Sequence, residues 1–193
     1  LALPEPLAVT LHVARTFEAM GIRYLVGGSL ASSLHGVPRA THDADLLAEI
    51  PQDRVEELVA SLQDEFYIDA EMIRRELRRG GSFNVIHLAT MFKVDVFVLT
   101  ADPLQLEEMS RRQLHPVGEG EEHRMYFATA EDVILRKLEW FRKGGGVSDR
   151  QWGDVLGVIK VKGADLDLTY LRRGSAALGV GELLERALVQ AGR

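Results

Sequence analysis

Three aspartates stand where packing gives them little reason to be. Asp43 and Asp45 flank Ala44 at the head of an apolar run that continues through Leu46 and Leu47. Alternate residues on a strand point the same way, so Asp43 and Asp45 would project to one face and Ala44 to the other. Asp95 lies in Lys93-Val-Asp-Val-Phe-Val98, a run otherwise suited to a buried strand. Aspartate is depleted in strands and costly to bury unpaired. Carboxylates held this close repel one another, and a divalent cation is the natural compensation. Magnesium takes oxygen ligands, commonly one or two carboxylates together with substrate phosphates. Asp43, Asp45 and Asp95 therefore read as ligands of one or two ions, Mg2+ or Mn2+.

The complementary half of such chemistry is an anion cradle. Gly27, Gly28 and Ser29 follow the apolar stretch Tyr24-Leu-Val26 and precede a short helical pattern. Glycine lets backbone approach a ligand closely, a helix start presents free N–H groups, and Ser29 adds a hydroxyl. Together they suit the phosphates of a nucleoside triphosphate. The expected reaction is in-line attack of an acceptor hydroxyl, with metal stabilising the attacking and leaving oxygens. Arg39 and Thr41 are candidates for steering the phosphates; the competing reading is a Pro-anchored loop with a surface arginine.

The elements that must position these residues follow from periodicity. Leu7 to Met20 is helical, ended by Gly21. Arg23 to Val26 is a strand and Leu30 to His35 a helix. Asp45 to Ile50 forms a second strand, followed by a helix from Pro51 to about Asp64. Phe66 to Ala70 reads as another strand. Ser82–Leu88 and Lys93–Leu99 form a hairpin, and Asp102 to Arg112 a helix. Thr129 is an N-cap with Glu131 and Asp132 in the first turn, and Ser148-Asp-Arg-Gln151 matches a capping box. Those two helices run to about Phe141 and Ile159, across the turn Gly144-Gly-Gly146. Two more helices follow Asp165.

The ordered set Val26-Gly-Gly-Ser29, Asp43-Ala-Asp45 and Asp95 resembles the nucleotidyltransferase superfamily, the polymerase-β-like fold. The stretches Gly36-Val-Pro-Arg-Ala-Thr-His-Asp-Ala-Asp45, Ser82-Phe-Asn-Val-Ile86, Lys93-Val-Asp95 and Glu131-Asp-Val-Ile-Leu-Arg-Lys137 look closer still to AbiEii-type and MenT-like toxin nucleotidyltransferases. His42 departs from the pattern, which takes a less bulky residue there. The resemblance covers roughly Tyr24 to Lys160. It implies an α/β (α+β) fold: a small mixed sheet flanked by helices over residues 1–115, and a C-terminal helical region, 116–193, completing the nucleotide site. It also implies that Lys137 helps bind the nucleotide and Asp154 supports the site. The implied acceptor is RNA, a tRNA end, or a protein, and the implied partner is an antitoxin. A small-molecule acceptor, a non-catalytic partner of the same fold and a metal-dependent nuclease stay open beside it.

Bulk properties narrow the field. At 193 residues, 46% hydrophobic and 27% charged, the chain can form a folded core. A net charge of −6 argues against a surface coated for wrapping nucleic acid, while leaving room for a local basic patch. With no cysteine there is no disulfide framework, thiol nucleophile or cysteine-ligated zinc, which fits a cytoplasmic setting. No run approaches the roughly 20 apolar residues of a membrane span, and Leu-Ala-Leu-Pro-Glu-Pro lacks the pattern of a signal peptide. The six histidines lack zinc-ligand spacing. Arg74, Arg75, Arg78 and Arg79 suit an RNA backbone or an exposed helix face; nearby Glu71 and Glu76 favour the face, and Arg111 and Arg112 read likewise. Trp140 and Trp152 are expected in the core.

Overall fold

The computed structural model describes residues 3–193, so the first two residues of the N-terminal stretch lie outside it. In chain order the elements are α1 (Glu5–Ala19), β1 (Tyr24–Val26), α2 (Gly28–His35), β2 (Asp43–Ala48), α3 (Val55–Leu62), β3 (Phe66–Tyr67), α4 (Ala70–Arg79), β4 (Ser82–His87) and β5 (Lys93–Val98). They continue with α5 (Pro103–Arg111), β6 (Gln113–Pro116), β7 (Arg124–Phe127), α6 (Ala130–Lys143), α7 (Asp149–Lys162), α8 (Leu168–Leu178) and α9 (Gly181–Gln190). Short 3-10 turns precede α3 and follow α7. No helix among the described residues is long and apolar enough to cross a membrane.

Two compact units divide the chain. One comprises the residues up to Gly27 and Thr41–Phe127; the other comprises Gly28–Ala40 and Ala128–Arg193. The first holds a seven-stranded mixed sheet in the order β3-β4-β5-β2-β1-β7-β6. β2 runs parallel to β5 and β1 parallel to β7, while the other neighbours are antiparallel. Alternation sorts its two faces. Ala44, Leu46, Phe83, Val85, Val94 and Val96 are buried, whereas Asp43, Asp45, Asn84, Lys93 and Asp95 are half-exposed. Against the sheet α1 packs on β2 and β7 and α4 on β4, and α3 lies against both helices. Phe17, Leu58, Leu62 and Ile73 come from these helices and are fully buried.

The second unit is helical. α6 packs on α2, α7 and α8, and α9 on α7 and α8. Its core includes Ile134, Leu138, Val155, Val158, Ile159, Leu171 and Leu184. The expected caps form: Thr129 Oγ1 accepts from the Asp132 amide at 3.3 Å and Ser148 Oγ from the Gln151 amide at 3.3 Å. Phe141 and Trp152 stack at 5.1 Å, but Trp140 is 49% exposed, so the expectation of a core Trp140 is corrected.

The mixed sheet, its flanking helices and the C-terminal helical region match the fold class expected from sequence. Local differences have local causes. β3 stops after two residues because Asp69 turns the chain into α4, its carboxylate accepting from the Met72 amide at 2.6 Å. α1 starts two residues early, since proline is tolerated in a first turn. β2 starts two residues early, at Asp43, which places both acids inside the strand.

Gly36, just past α2, faces neighbouring backbone at close range. A Cβ there would meet Val158 N at 2.8 Å, Gly157 C at 3.0 Å and Ser32 O at 3.0 Å, all backbone atoms that cannot yield. Gly153, on α7, has nothing within 4 Å of its virtual Cβ. Gly36→Ala should therefore cost about 1–3 kcal/mol in urea unfolding, and Gly153→Ala should gain about 0.5–1 kcal/mol from helix propensity. Equal effects at the two positions would contradict this packing.

Candidate active site

The parallel pairing of β2 with β5 sets the first cluster. Asp43 pairs with Lys93 and Asp45 with Asp95, so strand alternation places all four on one face of the sheet. Ala44 and Val94 point the other way and are fully buried. Asn84 pairs with Asp95 from the far side, on β4.

Asp95 is held at both oxygens. Asn84 Nδ2 donates to Oδ1, and Lys93 Nζ lies 2.7 Å from Oδ2. The Asp95 hydrogen bond, together with the charges of Asp95, Asp43 and Asp45, raises the Lys93 ammonium above its ordinary pKa against a smaller desolvation effect. Thr41 Oγ1 lies 3.1 Å from Asp43 Oδ1 and 3.0 Å from the Asp43 carbonyl oxygen, so Thr41 braces the head of β2. The Gly27 amide donates to the Asp45 carbonyl at 2.8 Å. A Cβ at Gly27 would meet only Asp45 O, at 3.9 Å, so packing does not demand glycine there.

These donors fit a hard divalent cation in kind, being carboxylate oxygens on one face of adjoining strands. Among the described residues, no three acidic or histidine side chains are drawn together as a ligand group. The positive charge actually in contact with Asp95 is the Lys93 ammonium.

A second cluster lies in the helical unit. Gly28, with φ 53, adopts a left-handed conformation that glycine takes without strain, and it starts α2 directly after β1 and Gly27. Ser29 follows, and its Oγ accepts from Arg39 at 2.6 Å. The Arg39 guanidinium also grips Asp154 with two hydrogen bonds of 2.8 Å. Lys137, on α6, reaches the same carboxylate at 2.8 Å. The Lys137 and Asp154 side chains are each 6% exposed, so Lys137 is a buried ion-pair partner rather than a solvated helix lysine. Burial pushes the Asp154 carboxyl upward, but the hydrogen bonds and charges of Arg39 and Lys137 outweigh it and hold the group below its ordinary range.

The sequence candidates thus fall into two sets, each assembled within one unit. Asp43, Asp45, Asp95, Thr41 and Gly27 belong to the sheet unit; Gly28, Ser29, Arg39, Lys137 and Asp154 belong to the helical unit. Lys93 and Asn84 were not among the candidates. Their signal was available: Lys93 sits two residues before Asp95 on one strand, and Asn84 lies on the neighbouring arm of the expected hairpin.

The seven-stranded mixed sheet flanked by helices is a nucleotidyltransferase-like fold. Solved structures similar to this chain include an antigenic nucleotidyltransferase-like protein from Paracoccidioides brasiliensis, 15% identical, covering 96% of this chain and 93% of that one at a TM-score of 0.57. The solution structure of the antibiotic-resistance factor ANT(2'')-Ia is 14% identical, covering 93% and 95% at 0.60. The same factor in complex with adenylyl-2''-tobramycin is 14% identical, covering 90% and 96% at 0.57. At these identities the likeness speaks for the fold alone. No protein-family profile matches the sequence. No curated protein matches it either.

Proposed function

We propose that this chain is a metal-dependent nucleotidyltransferase that moves a nucleoside monophosphate from a nucleoside triphosphate to a hydroxyl acceptor and releases pyrophosphate. The observation that carries the reading is the in-register set Asp43, Asp45 and Asp95 on one face of two parallel strands within a nucleotidyltransferase-like fold. These carboxylates would hold Mg2+ or Mn2+. When bound, such an ion neutralises phosphate charge and makes the acceptor hydroxyl a better nucleophile. Asp95 would complete the metal site and help take the proton from the acceptor hydroxyl.

In the helical unit, Gly28, Ser29 and the first turn of α2 would bind phosphate oxygens, with Arg39 and Lys137 supplying positive charge. Asp154 keeps those two cations together. Thr41 acts through Asp43, holding it for its ligand. Gly27 leaves its backbone open to the nucleotide, since nothing else explains its missing side chain.

Two acceptor classes have support. The sequence resemblance to toxin nucleotidyltransferases favours an RNA end, specifically tRNA, with an antitoxin protein as partner and a cytoplasmic setting. The structural likeness to ANT(2'')-Ia, solved in complex with adenylyl-2''-tobramycin, favours a small-molecule hydroxyl. The test is label transfer from each α-labelled nucleoside triphosphate into total RNA, total protein and an aminoglycoside panel, with magnesium and with chelator. Magnesium-dependent label in one fraction identifies the acceptor class. Shortened nucleic acid without label transfer would instead indicate a nuclease, and no label in any fraction would favour a non-catalytic partner. In the labelled fraction, Gly27→Ala should fall at least about tenfold in rate, because small displacements of a bound substrate are costly. Its stability should stay within about 0.5 kcal/mol of the parent, because the added methyl meets nothing closer than 3.9 Å.

A further inference from the structure

Lys93 is unlike the other cation that contacts a candidate site carboxylate from a regular element. Lys137 is buried with Asp154, its side chain 6% exposed. Lys93 is 42% exposed, on a face of the sheet that also carries Asp43, Asp45 and Asp95. Its ammonium rests 2.7 Å from Asp95 Oδ2, while its backbone stands in register with Asp43. Asn84 takes the other Asp95 oxygen and leaves Oδ2 to the ammonium. An ammonium donates hydrogen bonds but accepts none, so at this position it plays the part of a cation for the acid face.

Resting on the reading of Asp43, Asp45 and Asp95 as metal ligands, we infer that Lys93 is an internal counter-cation of this face, which a metal ion displaces from Asp95 and which sets how tightly metal is held. Without metal, Lys93 relieves the repulsion among three carboxylates on adjoining strands. With metal, two cations would share one carboxylate and repel each other. The exposed lysine is free to swing its ammonium into water, because its long flexible stem needs no backbone movement. Asn84 stays in both states and keeps Asp95 pointed along the face. Lys93 is thus a positioning residue whose displacement couples metal arrival to the freeing of Asp95 Oδ2.

Lys93→Gln removes one positive charge from the face and leaves a side chain of similar reach. Such a change at a few ångströms, partly screened by water, corresponds to about a tenfold change in an equilibrium constant. The experiment is a Mn2+ titration followed by the electron paramagnetic resonance of the free ion. It compares the parent, Lys93→Gln, Lys93→Arg and the Asp43→Asn/Asp45→Asn protein, with folding checked by thermal melting in chelator. Lys93→Gln should bind Mn2+ about tenfold more tightly, and Lys93→Arg should stay within about threefold of the parent. Equal or weaker binding by Lys93→Gln, where the parent binds and the double asparagine variant does not, overturns this inference alone. Absence of aspartate-dependent binding in both the parent and Lys93→Gln overturns the metal reading as well.

Discussion

Asp45→Asn is expected to melt no lower than the parent in chelator, and to lose nucleotidyl transfer by at least about a thousandfold. The two halves of this result have one origin. Asp45 is in direct register with Asp95 across parallel strands. Neighbouring strands lie about 4.8 Å apart, so two carboxylates at that spacing repel by roughly 1 kcal/mol even in a watery setting. Lys93 offsets part of that cost by its contact with Asp95, but a neutral asparagine removes the repulsion at its source. Stability is therefore expected to hold or to rise by a few tenths of a kcal/mol up to about 1 kcal/mol. Transfer depends on the charge that asparagine lacks. The measurement pairs thermal melts with magnesium-dependent label transfer on the same preparation. A folded Asp45→Asn protein with near-parental transfer would remove Asp45 from the metal set. A protein that unfolds would show that the acid is structural.

Much of this was legible in the sequence for physical reasons that apply residue by residue. Alternation along Asp43–Ala48 and Lys93–Val98 is a local property, so the shared face of Asp43 and Asp45 could be read without knowing the sheet order. The caps at Thr129 and Ser148 are equally local. What alternation cannot supply is which strand lies beside which. The parallel pairing of β2 with β5, and hence the register of Asp45 with Asp95, depends on a crossover that no short window encodes. β6 and β7 escaped for a different reason. They have four residues each, β6 is an edge strand with little buried, and β7 reaches the sheet beside β1 through the Val26–Phe127 pair. A strand that short carries barely two alternations. The grip of Arg39 on Asp154 spans 115 positions, so the loop arginine looked as much like a surface residue as a partner.

Asp154→Ala should be the most destabilising single change among the candidate site residues, costing about 3–5 kcal/mol. The carboxylate serves two cations at once, Arg39 through two hydrogen bonds and Lys137 through one contact of 2.8 Å. Arg39 is 25% exposed and can recover part of its hydration, whereas Lys137 is 6% exposed and would be left charged and unpaired. Asp154→Leu combined with Lys137→Met removes both buried charges and should recover a large part of the loss, since apolar replacement of a buried pair is far less costly than breaking it. The pH dependence has a definite sign. Arg39 and Lys137 hold the folded-state pKa of Asp154 below the unfolded value of about 3.9, despite the upward push of burial. The stabilisation is thus fully present above the unfolded pKa and is lost as pH falls through the folded one. Asp154→Asn keeps the shape and an acceptor oxygen but not the charge, so the gap in urea midpoint between it and the parent should be widest near neutral pH and should close below about pH 4. A gap that stays constant from pH 7 to pH 3 would mean that the ion pairs contribute nothing and that Asp154 acts only as a hydrogen-bond acceptor. Because Arg39 and Lys137 are the cations proposed to meet the phosphates, the same titration separates two ways of losing function. Asp154→Asn protein that stays folded at neutral pH yet binds the triphosphate weakly has lost the arrangement of its cations, not its core.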